Sequence, residues 1–287
     1  MENYDAVIEN EGKQGTPGMS TEEWIEMKKR ERADLRALAS DMADKALSDP
    51  NTLAAYLTLQ AKLGRCSLNN TLLVLSQKPN ATFVCDAKAW QDRGRGIRKG
   101  EGKNAIRQFR QDKAYIREDG SAAMGYKVVR CFDISQTYGK PVRQRAALAM
   151  SMKEKIKALT TDAPVPIKLA DDISQSAGAI YSERENVILV ARGLEGDALF
   201  FAIARELARA NGCNDAFLCD CAANIACIRF GVEPKFCDRI PEDVVLMEHG
   251  DKKAVLASVR ESADEIVSRV ERNLHTGHQH KKHEPER

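Results

Sequence analysis

Between Lys88 and Lys113 the chain carries Lys88, Arg93, Arg95, Arg98, Lys99, Lys103, Arg107, Arg110 and Lys113 against only Asp92, Glu101 and Asp112. A positive surface of this density gathers phosphates and releases their counterions. Gly94, Gly96, Gly100 and Gly102 interleave the cations. They let the backbone approach a polyanion closely, with its amides forming an anion-binding concavity. Trp90 stands beside the run, with Phe83 and Phe109 on either side. Unstacked bases lie on aromatic faces of this kind next to cations. The chemistry is capture of a single strand. Two plainer readings stay open: Trp90 as a core side chain, and the whole run as a solvated loop.

A second group of reactive residue types lies further on. Cys213, Cys219, Cys221, Cys227 and Cys237 are separated by five, one, five and nine residues, and none of these gaps makes the C-x2-C knuckle of zinc ribbons. Buried thiols on a helix, acting as small apolar side chains, are the expectation. A metal held by Cys219, Cys221 and Asp220 is the alternative. Arg205, Glu206 and Arg209 sit at spacings that share a helix face. The tail HTGHQHKKHEPER is rich in histidine, but nothing in it fixes a ligand geometry, so it reads as a disordered terminus.

Composition narrows the partners. Lys and Arg number 44 and Asp and Glu 42, a net charge of +2 over 287 residues. The whole chain is no polycation, and attraction to nucleic acid must come from local clustering. The length suggests two domains. No apolar run reaches the roughly 20 residues of a membrane helix. The start, MENYDAVIENEGKQGTPG, has neither basic residues at its beginning nor an apolar stretch of signal-peptide type. A cytoplasmic location, no membrane partner and reduced cysteines are therefore expected.

The elements that must hold these residues are legible in outline. Residues 1–19 read as a disordered lead-in. Ser20 and Glu23 of S-T-E-E make a capping box, and Trp24, Met27, Leu35, Leu38 and Met42 follow at helical spacing. Asp49–Pro50 stops that helix; two more are expected over Asn51–Leu63 and Leu68–Ser76. Short strands are expected at Thr82–Val84, Ala105–Phe109 and Tyr126–Phe132, with a helical turn at Ala87–Gln91 and a chain turn near Asp119–Gly120. Beyond Gln136 the pattern predicts a helix at Ala146–Leu159, strands at Val165–Leu169, Gly178–Tyr181 and Asn186–Val190, and helices at Asp197–Asn211 and Ala216–Phe230, with Gly231 as C-cap. A last helix runs from Val255 to Leu274.

Several of these segments resemble a known family. The stretch S67-L-N-N-T-L-L-V-L-S-Q-K-P-N-A-T, Trp90, G94-R-G-I-R-K-G-E and F132-D-I-S-Q-T, in that order, resembles the N-terminal domain of ArdC-like antirestriction proteins. The resemblance implies single-stranded DNA binding in the service of a mobile genetic element or phage. It adds Asn69 and Asn70 to a contact set of Trp90, Arg93, Arg95, Arg98, Lys99, Lys103 and Arg107. The second half resembles the zincin-like domain that follows in this family, whose helix carries H-E-x-x-H. Here that helix reads A204-R-E-L-A-R-A, so Arg205 and Arg209 stand at the histidine positions, Glu206 is retained, and Asp220 of C219-D-C-A-A-N-I-A-C aligns with the third ligand. The resemblance thus implies a salt-bridge cluster of these four where the metal would sit, since the planar guanidinium fork suits carboxylates; the alternative turns the arginines to solvent.

Guanidinium has no lone pair to offer a metal, so no metal, no cofactor and no peptidase activity are expected. The reading is an α+β fold of two domains: a single-strand-binding domain over 20–137, a degenerate zincin-like domain lacking HExxH over 138–274, and a tail over 275–287. The expected partners are single-stranded DNA and a host defence or restriction protein. Two other readings compete: an interaction module that uses the dead zincin fold to inhibit a host defence factor, and a metallopeptidase with atypical ligands.

Overall fold

The computed structural model describes residues 19–116, 120–142 and 149–281, without the side chains of 249 and 275–281. The lead-in read for 1–18, part of the turn before Gly120, the start of the helix expected from Ala146 and residues 282–287 lie outside the described residues.

Local signals place the first helices. Helix α1 spans Thr21–Ala46; the Ser20 hydroxyl accepts from the Glu23 amide and the Glu23 carboxylate accepts from the Ser20 amide. Leu35, Ala39, Ala43 and Ala46 form its buried stripe. Helix α2, Pro50–Leu63, starts on the Asp49 carboxylate, which accepts from the Thr52 amide at 2.8 Å. Helix α3, Leu68–Gln77, is capped by Ser67.

There follow β1 (Val84–Asp86), α4 (Ala87–Asp92), β2 (Arg95–Ile97), β3 (Ile106–Ile116), β4 (Ala122–Asp133) and β5 (Thr137–Gly139). Strands β1, β4 and β3 make one antiparallel sheet in that order, and β2 pairs with β5. The first strand begins later than Thr82 because the Thr82 and Phe83 amides donate to the Asp133 carboxylate, at 2.7 and 3.1 Å, rather than to a strand.

β3 is an edge strand, and α3 finishes it. Asn70 donates to and accepts from the Phe109 backbone at 2.8 Å each. Gln77 does the same with Arg107 at 3.0 Å each. Seven residues apart, the two amides share one face of α3.

The second half contains α5 (Met152–Thr160), β6 (Ile167–Ala170), β7 (Ala179–Ser182), β8 (Val187–Ala191), α6 (Gly196–Ala210), α7 (Ala216–Phe230), α8 (Glu242–Val245) and α9 (His249–Lys281). Its sheet runs β6-β8-β7, with β6 parallel and β7 antiparallel to β8. α9 continues past Leu274 into the stretch read as disordered tail, since no proline stands before Pro285 to stop it. α2 packs on α7, and α9 packs on both α1 and α7. One buried apolar cluster therefore runs from Leu35 to Leu274 through helices of both halves. None of the described helices is long and apolar enough to cross a membrane.

Candidate functional site

The basic loop is exposed, and its backbone is held in place. Arg98 N–H donates to Gln136 O at 3.0 Å, and Glu101 N–H donates to Arg98 O at 3.1 Å. Gln136 reaches back to the Glu101 carboxylate at 2.8 Å and to Asn104 O at 2.9 Å, and Arg130 donates to Gly102 O. These bonds fix the backbone of 98–104 while Arg98, Lys99, Lys103 and Arg107 stay exposed. The four have no acidic partner within ion-pair range among the described residues. An open cleft of about 770 Å³ lies here; Lys103, Arg107, Lys78 and Arg130 bring positive charge to its wall, and Glu31 and Glu101 negative. The sequence reading missed Lys78 and Arg130. They lie outside the dense basic run and reach the cleft only through the folding of α3 and β4.

Three of the expected DNA-binding residues have structural duties. Trp90 is 0% exposed and donates its indole N–H to Phe132 O at 2.8 Å; Phe83 meets it edge-on at 5.3 Å. It is a core residue and has no face to offer a base, which corrects its assignment as a stacking platform. Its amphipathic ring satisfied its one donor inside the fold. Arg95 lies over the Trp90 ring at 5.7 Å and donates to Thr137 Oγ1 at 2.8 Å and to the Lys140 carbonyl, tying β2 to β5. Asn70 is spent on β3. Asn69 and Arg93 are exposed, the latter over the Phe83 ring at 5.6 Å. The exposed aromatic beside the loop is Tyr138, which a Cβ at Gly96 would meet at 2.9 Å. Glycine at 96 is what lets the Tyr138 ring lie flat across β2.

The second group is closed. Glu206, on α6, is 1% exposed. Its Oε1 accepts from Arg205 Nε at 2.7 Å, and its Oε2 accepts from the Tyr181 amide at 2.9 Å. Arg209 Nε lies 3.8 Å from the same Oε2. Arg205 also donates through Nη2 to the carbonyls of Ala177 and Ala179, both at 2.9 Å. β7 is an edge strand, and these three are outward-facing backbone groups at or beside it. Extended peptides add to such free edges; here Arg205 and Glu206 occupy the positions. Gly178, at φ +74, would carry a Cβ 3.0 Å from Ala202 of α6, so glycine there permits the close approach of chain and helix.

Asp220 departs from the expected cluster. No ion pair joins it to Arg205 or Arg209 among the described residues, and its Oδ1 is buried without a hydrogen-bond partner. Desolvation pushes its carboxyl pKa up, against the fields of Arg205 and Arg209, which lower it, and with that of Glu206, which raises it. Glu206 takes the hydrogen bond of Arg205 and an ion pair with Arg209, whose buried Nε has no hydrogen-bond partner, and Asp220 is left on the neighbouring helix.

The donor set does not fit a divalent ion. The guanidinium groups offer no lone pair and both Glu206 oxygens are engaged. No group of three or more His, Cys, Asp or Glu suited to a metal occurs among the described residues. Cys219, Cys221 and Cys227 are buried thiols in the core cluster, and all eight cysteines are free. Cys213 is drawn down to about 7, first by its hydrogen bond with Cys219, whose own thiol is pushed up by the same bond.

No protein-family model matches this chain, and no curated protein matches it. Among solved structures, the metal-free crystal structure of the antirestriction protein ArdC from plasmid R388 is similar. Its TM-score is 0.56 at 14% identity, over 83% of this chain and 98% of that one. The Mn(II)-bound structure of that protein has a TM-score of 0.49 at 14% identity, over 72% of this chain and 87% of that one. The similarity to the metal-free structure extends along nearly all of that protein and shows a shared mixed α+β fold.

Proposed function

We propose that this chain, which has the fold of ArdC, is a single-stranded DNA-binding protein of antirestriction type, whose α6 site does no peptidase chemistry. The observation that carries this reading is the set of exposed cations Arg98, Lys99, Lys103 and Arg107, which form no ion pair among the described residues, on a loop and strand whose backbone is held in place, with Lys103 and Arg107 lining an open cleft. Solvated loops keep such charges too, but they are not pinned by Gln136 and Arg130. A fixed array loses less entropy when phosphates arrive. Phosphate contacts carry no base information, so binding is expected to be almost indifferent to sequence.

The chemical argument against peptide cleavage is local. Arg205 and Arg209 have no lone pair to hold a metal beside Glu206, and both its oxygens and the β7 edge are occupied. The restriction-related role is drawn from the fold shared with ArdC and is tested by survival of unmodified DNA entering a restricting host with and without this protein. The binding role is tested by titrating a fluorescent oligonucleotide at two salt concentrations beside a duplex control. The expected result is preference for the single strand and a salt slope of about −0.7 per phosphate neutralised. Absence of binding at low salt overturns the reading.

A further inference from the structure

A second groove lies between α1 and the β3–β4 hairpin. α1 presents Trp24, Lys28, Arg32 and Arg36 at intervals of four residues, which places them along one side of the helix. A cleft of about 330 Å³ separates Trp24, Lys28 and Arg32 from Tyr126 and Lys127. Another of about 420 Å³ separates Arg32 and Arg36 from Tyr115, Met124 and Tyr126. Arg32 and Tyr126 line both, so the two join end to end. Glu31, on the wall of the large cleft beside the basic loop, is bonded to Lys28 of this groove at 2.9 Å. α1 therefore borders both the cleft beside the loop and the groove along the hairpin.

Its chemistry is specific. Tyr115 is 54% and Tyr126 47% exposed, and aromatic rings left in water together with Met124 mark a binding surface. Lys28 is paired with Glu31 and Lys127 with Asp112, but Arg32 and Arg36 have no acidic partner among the described residues. Exposed rings beside guanidinium groups, Arg36 lying over the Phe109 ring at 5.9 Å, match a polymer of bases and phosphates. An acidic peptide would use the same arginines and have no need of the rings.

We infer that a bound single strand continues from the Lys103–Arg107 cleft into this groove, stacking bases on Tyr126 and Tyr115 and setting phosphates on Arg32 and Arg36. The inference rests on the single-strand reading above and gives that strand a path, with a binding length greater than the loop alone can supply.

The test is an anisotropy titration of the full chain with oligodeoxynucleotides of increasing length. Affinity should rise in two stages as the oligonucleotide grows past the first cleft. Tyr126→Ala, on the exposed hairpin, should weaken binding of the long oligonucleotide about tenfold and leave the short one unchanged, while Tyr126→Phe keeps wild-type affinity. Trp90 is buried, so quenching of tryptophan emission by the long oligonucleotide should come from Trp24 and vanish in Trp24→Phe. If wild type binds, and Tyr126→Ala and Arg32→Ala both bind the long oligonucleotide as wild type does, the path is overturned and the proposed function stands. If wild type binds no oligonucleotide at low salt, the function and the path both fall. Binding of polyglutamate that depends on Arg32 and is indifferent to Tyr126 overturns the path in favour of an acidic protein.

Discussion

Arginine serves opposite ends in the two charged regions of this chain. At and beside the large cleft, Arg107 and Arg98 are exposed and form no ion pair among the described residues, on a backbone tied down by Gln136. On α6, Arg205 and Arg209 converge on one buried carboxylate, and Arg205 also holds two carbonyls of the neighbouring chain segment. The cations are alike in kind; their partners differ. A charge that already has its counter-charge is structure, and one held in place without it is capacity for a ligand. Both regions also close a sheet edge with side chains: α3 amides on β3, and an arginine and a glutamate on β7.

Removing Glu206 should separate the two regions most sharply. Glu206→Ala leaves Arg205 Nε and the Tyr181 amide without their acceptor and both guanidinium groups without their counter-charge. Loss of one partner from a buried pair costs about 3–5 kcal/mol, with the lower end expected here because Arg209 keeps about a third of its side chain in water. Chemical denaturation measures it; unchanged stability would mean that the cluster is decoration. Oligonucleotide affinity of the folded fraction should not change.

Asn70→Ala should come next. It strips the acceptor and donor from the Phe109 backbone, at a cost of about 1–3 kcal/mol. Because β3 leads out of the loop, affinity for the oligonucleotide should fall with it, a coupling that Glu206→Ala lacks.

The triple change Lys99→Ala, Lys103→Ala and Arg107→Ala should invert that pattern. Surface changes of this kind cost within about 0.5 kcal/mol each, while the salt slope of single-strand binding should flatten by about 0.7 for each phosphate no longer neutralised. Intact affinity with an intact slope would assign the cleft to solvent.

The smallest effect is expected at Asp220. Burial raises its pKa in the folded protein, so the native state binds a proton more readily than the unfolded chain, and stability falls as pH rises from the ordinary carboxylate range through the raised value. Asp220→Asn should therefore give a small gain in melting temperature at neutral pH that disappears in acid. A loss at neutral pH would restore Asp220 to the ion cluster.

Much of the scaffold was legible from one-dimensional signals. The capping box at Ser20, Asp49–Pro50, and the span Ala216–Phe230 with its terminal Gly231 are local rules that the fold obeys. The Arg205–Glu206–Arg209 grouping could be read because helix spacing alone brings these residues together. Trp90 could not be placed: its neighbour in sequence is a basic loop, and its neighbour in space is the Phe132 carbonyl, 42 residues away. Lys78, Arg130 and the hairpin tyrosines were missed for the same reason, since their proximity is created by strand pairing. Asn70 carried a misleading signal, because an exposed-looking amide in a matching motif can as well be a backbone ligand.

The two amides on α3 carry a last consequence. A sheet ending in a bare strand offers its row of donors and acceptors to any other polypeptide, which is how fibrils start and grow. Asn70 and Gln77 imitate a fourth strand along the first part of β3 without being one, answering Phe109 and Arg107 in place of a further chain. This device should help keep folded chains dispersed, and loss of either amide should show as self-association of chains that are still folded.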